Sequence, residues 1–212
     1  MQRFKNPEIW RDESTVRGTA MDKLLQIKTT GRDDTNSDQY RYPYEPTPYG
    51  VLERLANSGF IRKKDVVLDY GCGKGRVSFF LAEQIQAKMI GIEYDEWIYH
   101  RVIENQRTAV SEKTEFILER AERYEVPADA NRCYFFNPFS LEILRKVVAR
   151  ILESYYAYPR EILLMFYYPS EEYLSYLMAA IELEYYCEIS CEDLFASNDP
   201  REKIVIFSLQ QM

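Results

Sequence analysis

Apolar residues recur along this chain in two alternating rhythms. Short apolar runs fall at Val66–Asp69, Met89–Glu93, Glu115–Leu118, Cys133–Phe136, Ile162–Phe166, Tyr185–Ile189 and Ile204–Leu209. Each has the length of a strand, and the early ones are continuous rather than alternating, as parallel strands buried on both faces are. Between most of them the apolar spacing turns helical. Val77, Phe80, Leu81 and Ile85 share one face, a second helix is expected from Glu96 to about Val110, and a fourth over Glu171–Ala180. The third, Leu141–Glu153, has the clearest stripe, with Ile143, Leu144, Val147, Val148, Ile151 and Leu152 at helical intervals. Ser140 is placed to cap it. Such alternation predicts an α/β fold: a doubly wound, mostly parallel seven-stranded sheet with helices on both faces. The link EDLFASNDPRE (192–202) is turn-rich and carries no helical stripe, so the last two strands are expected to form an antiparallel hairpin.

Ahead of this rhythm the chain is polar. Residues 1–39 show one helical stripe, from Val16 to Ile27, and GRDDTNSDQ (31–39) reads as a loop. The stretch YRYPYEPTPYG (40–50) sets four tyrosines among three prolines. Thr47 before Pro48 is placed to cap a helix running through Val51, Leu52 and Leu55 to Asn57, with Gly59 just past its end. The organisation expected is an arm or lid at 1–46 and one domain at 47–212.

Composition narrows the classes. With 212 residues, 46% of them hydrophobic, the chain can bury a sizeable core. A net charge of −7 disfavours a broad nucleic-acid surface. The four cysteines are too far apart for a disulfide framework, and the Cys187/Cys191 pair, with one histidine in the whole chain, makes a poor zinc site, so no metal is expected. Neither a secretory signal nor a run of about 18 apolar residues is present. A soluble, cytoplasmic protein without a membrane partner is expected.

The chemistry concentrates in VVLDYGCGKGRV (66–77). Glycines straight after a buried strand and at the mouth of a helix allow a sharp turn and close approach of a ligand to the backbone. The helix offers free N–H groups there. A plain tight turn would need one glycine, whereas here there are three at alternate positions. A P-loop requires Ser or Thr after Gly-Lys, and Gly75 stands there instead; a GxGxxG count from Gly71 ends on Arg76, not glycine. Glu93 closes the next strand, where an acid can accept hydrogen bonds from both hydroxyls of a ribose; a solvated strand-end acid is the plainer reading. Tyr94 follows it and could pack on a base. Lys74 and Arg76 could attract an anion or sit solvated beside Asp69.

The pattern Asp69-x-Gly71-x-Gly73-x-Gly75 resembles motif I of the class I S-adenosylmethionine (SAM) dependent methyltransferases. The resemblance covers roughly residues 47–209 at the level of architecture and implies a Rossmann-like methyltransferase fold with SAM as cofactor. It implies cofactor contacts from Asp69, Tyr70, Gly71, Cys72, Gly73, Gly75, Glu93 and Tyr94. Arg120 and Ala121 stand where the family often places an adenine-contacting acid, which leaves a backbone contact. The fourth strand runs into Asn137-Pro138-Phe139-Ser140, similar to the Asn-Pro-Pro-Tyr of amino-group methyltransferases. There the Asn oxygen and a backbone carbonyl accept from the target NH2, which implies catalytic roles for Asn137 and Pro138, with Asn137 also near the cofactor. The same residues suit an ordinary turn and helix cap.

The implied activity is methyl transfer to a small-molecule or protein acceptor, with nitrogen as the candidate acceptor atom. Tyr44, Thr47, Tyr49 and Phe139 are candidates for the substrate side, although the aromatics of 40–49 could equally staple the arm to the core. His100 reads as a helix-surface residue rather than a base. Two alternatives stay open: a module that binds SAM or S-adenosylhomocysteine without turnover, and an NAD-dependent oxidoreductase.

Overall fold

The structure, a computed structural model, describes residues 15–31, 45–197 and 199–209. Helix α1 spans Thr15–Leu25 and α2 spans Tyr49–Asn57; then strand and helix alternate. The succession is β1 (Val66–Tyr70), α3 (Arg76–Ile85), β2 (Lys88–Glu93), α4 (Glu96–Gln106), β3 (Thr114–Leu118) and β4 (Ala130–Phe135). It continues with α5 (Leu141–Ala157), β5 (Leu163–Tyr167), α6 (Glu171–Ala179), β6 (Leu183–Ser190) and β7 (Lys203–Leu209), with a 3-10 turn at Glu192–Leu194.

The seven strands form one sheet in the order β3-β2-β1-β4-β5-β7-β6. All neighbours are parallel except the pairs that β7 makes with β5 and β6. This is the predicted doubly wound sheet with its antiparallel end. The strand order reverses beside β1: β2 and β3 build outward on one side, β4 and β5 on the other. A crevice opens at such a reversal, at the carboxyl ends of the strands.

Period-two alternation sends side chains to two cores. Val67, Met89, Phe116, Tyr134 and Met165 face α2, α3 and α4. Leu68, Ile90, Cys133, Phe135 and Leu164 face α5 and α6. Strands β1 and β5 are buried along their whole length, which explains their unbroken apolar runs. Residues 15–31, read in the sequence as part of an arm, contribute Met21, Leu25 and Ile27 to the first core.

The helix ends differ in detail. Pro48, not Thr47, takes the N-cap position of α2 and makes no side-chain cap; the Thr47 hydroxyl is instead shared with Tyr134 Oη at 3.0 Å. Ser140 does hold the N-cap position of α5 but makes no capping bond, and its buried hydroxyl has no partner. Working caps are Asp95, which accepts from Ile98 N, and Ser170, which accepts from Tyr173 N. Helix α4 stops at Gln106 rather than Val110, and α5 continues past Glu153 to Ala157.

Candidate functional site

The glycine segment forms the floor of the crevice. Asp69 points toward α3, where its Oδ2 accepts from Ser78 Oγ at 2.7 Å. Tyr70 turns to the opposite face, stacked on Phe135 with ring centroids 4.9 Å apart. The chain then reverses. Gly71 N and Cys72 N both donate to Ile92 O, Gly73 N donates to Glu93 Oε2 at 3.0 Å, and Gly75 N donates to Cys72 O. Gly71 has φ +70°, and a Cβ there would stand 2.4 Å from Pro138 Cβ. Gly75, at φ +87°, would meet Phe79 and Val102 within 2.7 Å. The first glycine therefore admits the Asn137-Pro138 segment, and the last seats α3 against α4.

Asp69 and Glu93 are both buried, at 2% and 5% exposure. Glu93 Oε1 accepts from Tyr94 N and Asp95 N at 2.8 and 2.9 Å. Burial pushes the Glu93 carboxyl up to about 7 against the pull of these backbone N–H groups. Burial likewise raises Asp69 to about 7, opposed by the Ser78 bond and aided by the nearby Glu93. Burial also pushes the Cys72 thiol well up, so it is an inert wall group rather than a nucleophile.

Asp69, Tyr70, Gly71, Cys72, Gly73 and Glu93 line one cavity together with Glu45, Thr47, Tyr94, Ala121, Glu122, Tyr134, Asn137, Pro138 and Phe139. The predicted glycine-loop, β2-end and β4-end residues thus come together. Gly75, turned to Phe79 and Val102, does not join them, and neither does Arg120. A turn in which Arg123 N and Tyr124 N bond to Arg120 O sends it outward, where it is exposed; Ala121 and Glu122 form that wall instead. Tyr49 is not a wall residue either. It is 1% exposed, its ring packs on Phe80, and its hydroxyl donates to Asp22. Phe139 touches the cavity but is buried edge-on against Phe135. Tyr44 lies outside the described residues. His100 sits exposed beside Glu96.

Asn137 departs most from expectation. Its backbone is left-handed, φ +40°, and its amide is engaged by protein: Nδ2 donates to Tyr168 O at 2.6 Å and Oδ1 accepts from Ser170 N at 3.2 Å. The oxygen expected to receive an acceptor NH2 therefore holds the turn after β5.

Arg76 is not solvated, and the anion it faces is the chain's own Asp22. At 5% exposure it donates from Nε to Thr29 Oγ1 (2.7 Å) and from Nη1 to Thr47 O (3.4 Å). It lies over the Tyr49 ring and faces Asp22 at 3.7 Å. Asp22 in turn accepts from Thr29 N, Thr29 Oγ1, Thr30 N and Tyr49 Oη. Sequence reasoning missed this cluster. Its only signal was the apolar spacing of Met21, Leu25 and Ile27 around an aspartate.

Residues 61–137 match the family model for a methyltransferase domain. Over that stretch, about a third of its length, this chain is similar to methyltransferase domains. A protein-lysine N-methyltransferase from Saccharolobus islandicus (strain REY15A) is 34% identical to it over 55 residues, which are 26% of this chain. That stretch spans about a third (34%) of the relative's length. Among solved structures, a SAM-dependent methyltransferase from Aquifex aeolicus superposes with a TM-score of 0.60 at 12% identity, over 78% of this chain and 94% of that one. An RNA methyltransferase from Salinibacter ruber, solved in complex with S-adenosyl-L-homocysteine, gives 0.56 at 16% identity, over 79% and 95%. At such identities the likeness is one of fold. The matched stretch runs from the turn before β1 to just past β4 and supplies most of the cavity wall. Among the described residues no helix is long and apolar enough to cross a membrane.

Proposed function

We propose that the chain is a SAM-dependent methyltransferase whose acceptor is an amine on a small molecule or a protein. The observation that carries this is the convergence of Asp69, the glycine turn, Glu93 and the Asn137-Pro138 segment on one cavity at the strand reversal. The cradle suits the cofactor chemically. Gly71 and Gly73 present backbone at positive φ to the cavity, and two buried carboxylates suit a cationic nucleoside.

When bound, SAM supplies a methyl group on a sulfonium, whose departure leaves a neutral thioether. In this reading Glu93 accepts from the ribose hydroxyls, Asp69 offers negative charge to the amino-acid end, and Tyr94 and Ala121 flank the base. Thr47, Tyr134, Phe136 and Pro138 wall the acceptor side, and Asn137 holds that wall in place. The chain's contribution is orientation and exclusion of water rather than a dedicated base.

An amine acceptor is supported by charge. Among the described residues Glu45, Asp69, Glu93, Asp95 and Glu122 line the cavity, against one cation, Arg76, that faces Asp22. Such a wall disfavours phosphate and suits a cationic group. The name of the Saccharolobus relative, a lysine methyltransferase, points the same way.

Calorimetric titration with SAM, S-adenosylhomocysteine and NAD tests the cofactor. Radiolabelled methyl transfer to lysine-rich protein, small amines and RNA then tests the acceptor. Binding of SAM and its product without transfer to any of these would favour a binding module; binding of NAD instead would point to an oxidoreductase. Labelling of RNA alone would overturn the amine reading.

A further inference from the structure

The loop that would receive the cofactor is held from two sides, and one of the holders lies outside the cavity. On the cavity side Glu93 takes the Gly73 N–H. On the far side the carbonyl of Lys74 accepts from Asn105 Nδ2 at 2.9 Å. Asn105 sits in the last turn of α4 at 5% exposure and is not part of the cavity lining. The same amide pairs twice with the backbone of Lys28: Oδ1 accepts from Lys28 N at 2.8 Å, and Nδ2 donates to Lys28 O at 3.2 Å. The amide orientation follows from its partners. Lys28 N–H requires an oxygen, and two carbonyls require the nitrogen.

The Lys74–Gly75 peptide unit is thereby fixed at both ends, its C=O by Asn105 and its N–H by Cys72 O. Gly73 and Gly75, on either side, have positive φ and would allow that peptide to rotate. A second tether, Thr108 Oγ1 to Gln26 O at 2.6 Å, ties the same N-terminal segment to the end of α4 without touching the glycine loop.

We propose that Asn105 is a positioning residue for cofactor binding: it sets the Lys74 peptide and couples residues 26–30 to the glycine loop. This rests on the SAM reading above. The coupling is reciprocal, so a ligand that orders the loop must also order residues 26–30.

The test measures S-adenosylhomocysteine affinity by calorimetry, well below the melting temperature, in wild type, Asn105→Ala, Asn105→Asp and Thr108→Ala. Both Asn105 variants should bind about five- to twentyfold more weakly, because one peptide orientation must be restored on binding. Asn105→Asp keeps the shape and the Lys28 N–H acceptor, and so guards against a misfolded Ala variant. Thr108→Ala should lower the melting temperature while leaving affinity within twofold of wild type. Hydrogen exchange on the wild type needs no variant: ligand should protect 26–30 along with 72–77. Asn105 variants that bind as tightly as Thr108→Ala, an equal loss in Thr108→Ala, or no protection at 26–30 would each overturn the proposal. Failure of the wild type to bind S-adenosylhomocysteine at all would refute the SAM reading itself, before any variant is compared.

Discussion

Asn137 Nδ2 donates to the carbonyl of Tyr168 at 2.6 Å, and both residues have left-handed backbones, φ +40° and +48°. Two adjacent parallel strands, β4 and β5, thus end in matched turns joined by one amide. The link continues, since Ser170 donates to Asn137 Oδ1, caps α6 at Tyr173, and Tyr173 Oη donates back to Phe139 O. The closed circuit fixes the Asn-Pro-Phe segment against α6.

Replacing Asn137 should therefore act first on stability. Asn137→Ala loses both bonds and keeps the strained φ, and should destabilise by about 2–3 kcal/mol. Asn137→Gly loses the bonds but not the conformational fit, and should be milder by about 1 kcal/mol. Urea unfolding of the two variants decides. Equal losses would mean that the left-handed turn relaxes once the amide is gone.

Gly71→Ala should damage the cofactor site more than the fold. Its Cβ would lie 2.4 Å from Pro138 Cβ, so either the glycine turn or the Asn137-Pro138 segment must shift, and both line the cavity. S-adenosylhomocysteine affinity should fall at least about tenfold, since even small displacement of positioned groups is costly. Calorimetry showing unchanged affinity would mean that the two segments move together without disturbing the cradle.

Asp22 anchors the N-terminal segment, and its side chain is 5% exposed. Asp22→Ala leaves Arg76, Tyr49 Oη and two backbone N–H groups without their shared acceptor, which should cost about 3–5 kcal/mol. Tyr49→Phe removes one donor and should cost about 1–2 kcal/mol. For a chain of this length each kcal/mol lowers the melting temperature by roughly 2–4 °C. An Asp22→Ala protein melting within 3 °C of wild type would show that residues 15–31 do not brace the domain.

The contrast between Asp22 and Asp69 marks where sequence reading reaches and where it stops. Asp69 is legible because it stands at a fixed offset from glycines that have a local backbone reason to be there. The seven strands and their antiparallel end are legible because burial on two faces leaves continuous apolar runs. Asp22 is one acid in a polar stretch, and its hydrogen-bond donors come from residues 29, 30 and 49. Nothing local announces them. Asn137 is the intermediate case: its place at the strand end is readable, but the partner of its amide lies on a turn 31 residues away. Ser140 and Ser170 show the same limit for caps. Both precede helices, but only the second turns its hydroxyl to the backbone.

The buried acids predict an unusual pH dependence. Asp69 and Glu93 are pushed up to about 7 in the folded chain, chiefly by burial, against about 4 when unfolded. Between about pH 4 and 7 the folded state therefore holds protons that the unfolded state has released. The stability contributed by this pair is fully present below about pH 4, falls as pH rises through 7, and is flat above it. Affinity for a cationic cofactor runs the opposite way, because SAM favours the ionised carboxylates and should bind more tightly at pH 8 than at pH 6. Asp69→Asn keeps an oxygen for Ser78 and removes one titrating group, so it should flatten the stability profile and part of the affinity profile. Urea unfolding and calorimetry at pH 5, 6, 7 and 8 on both proteins measure the two trends. Parallel profiles in wild type and Asp69→Asn would show that Asp69 keeps an ordinary carboxyl in the folded chain.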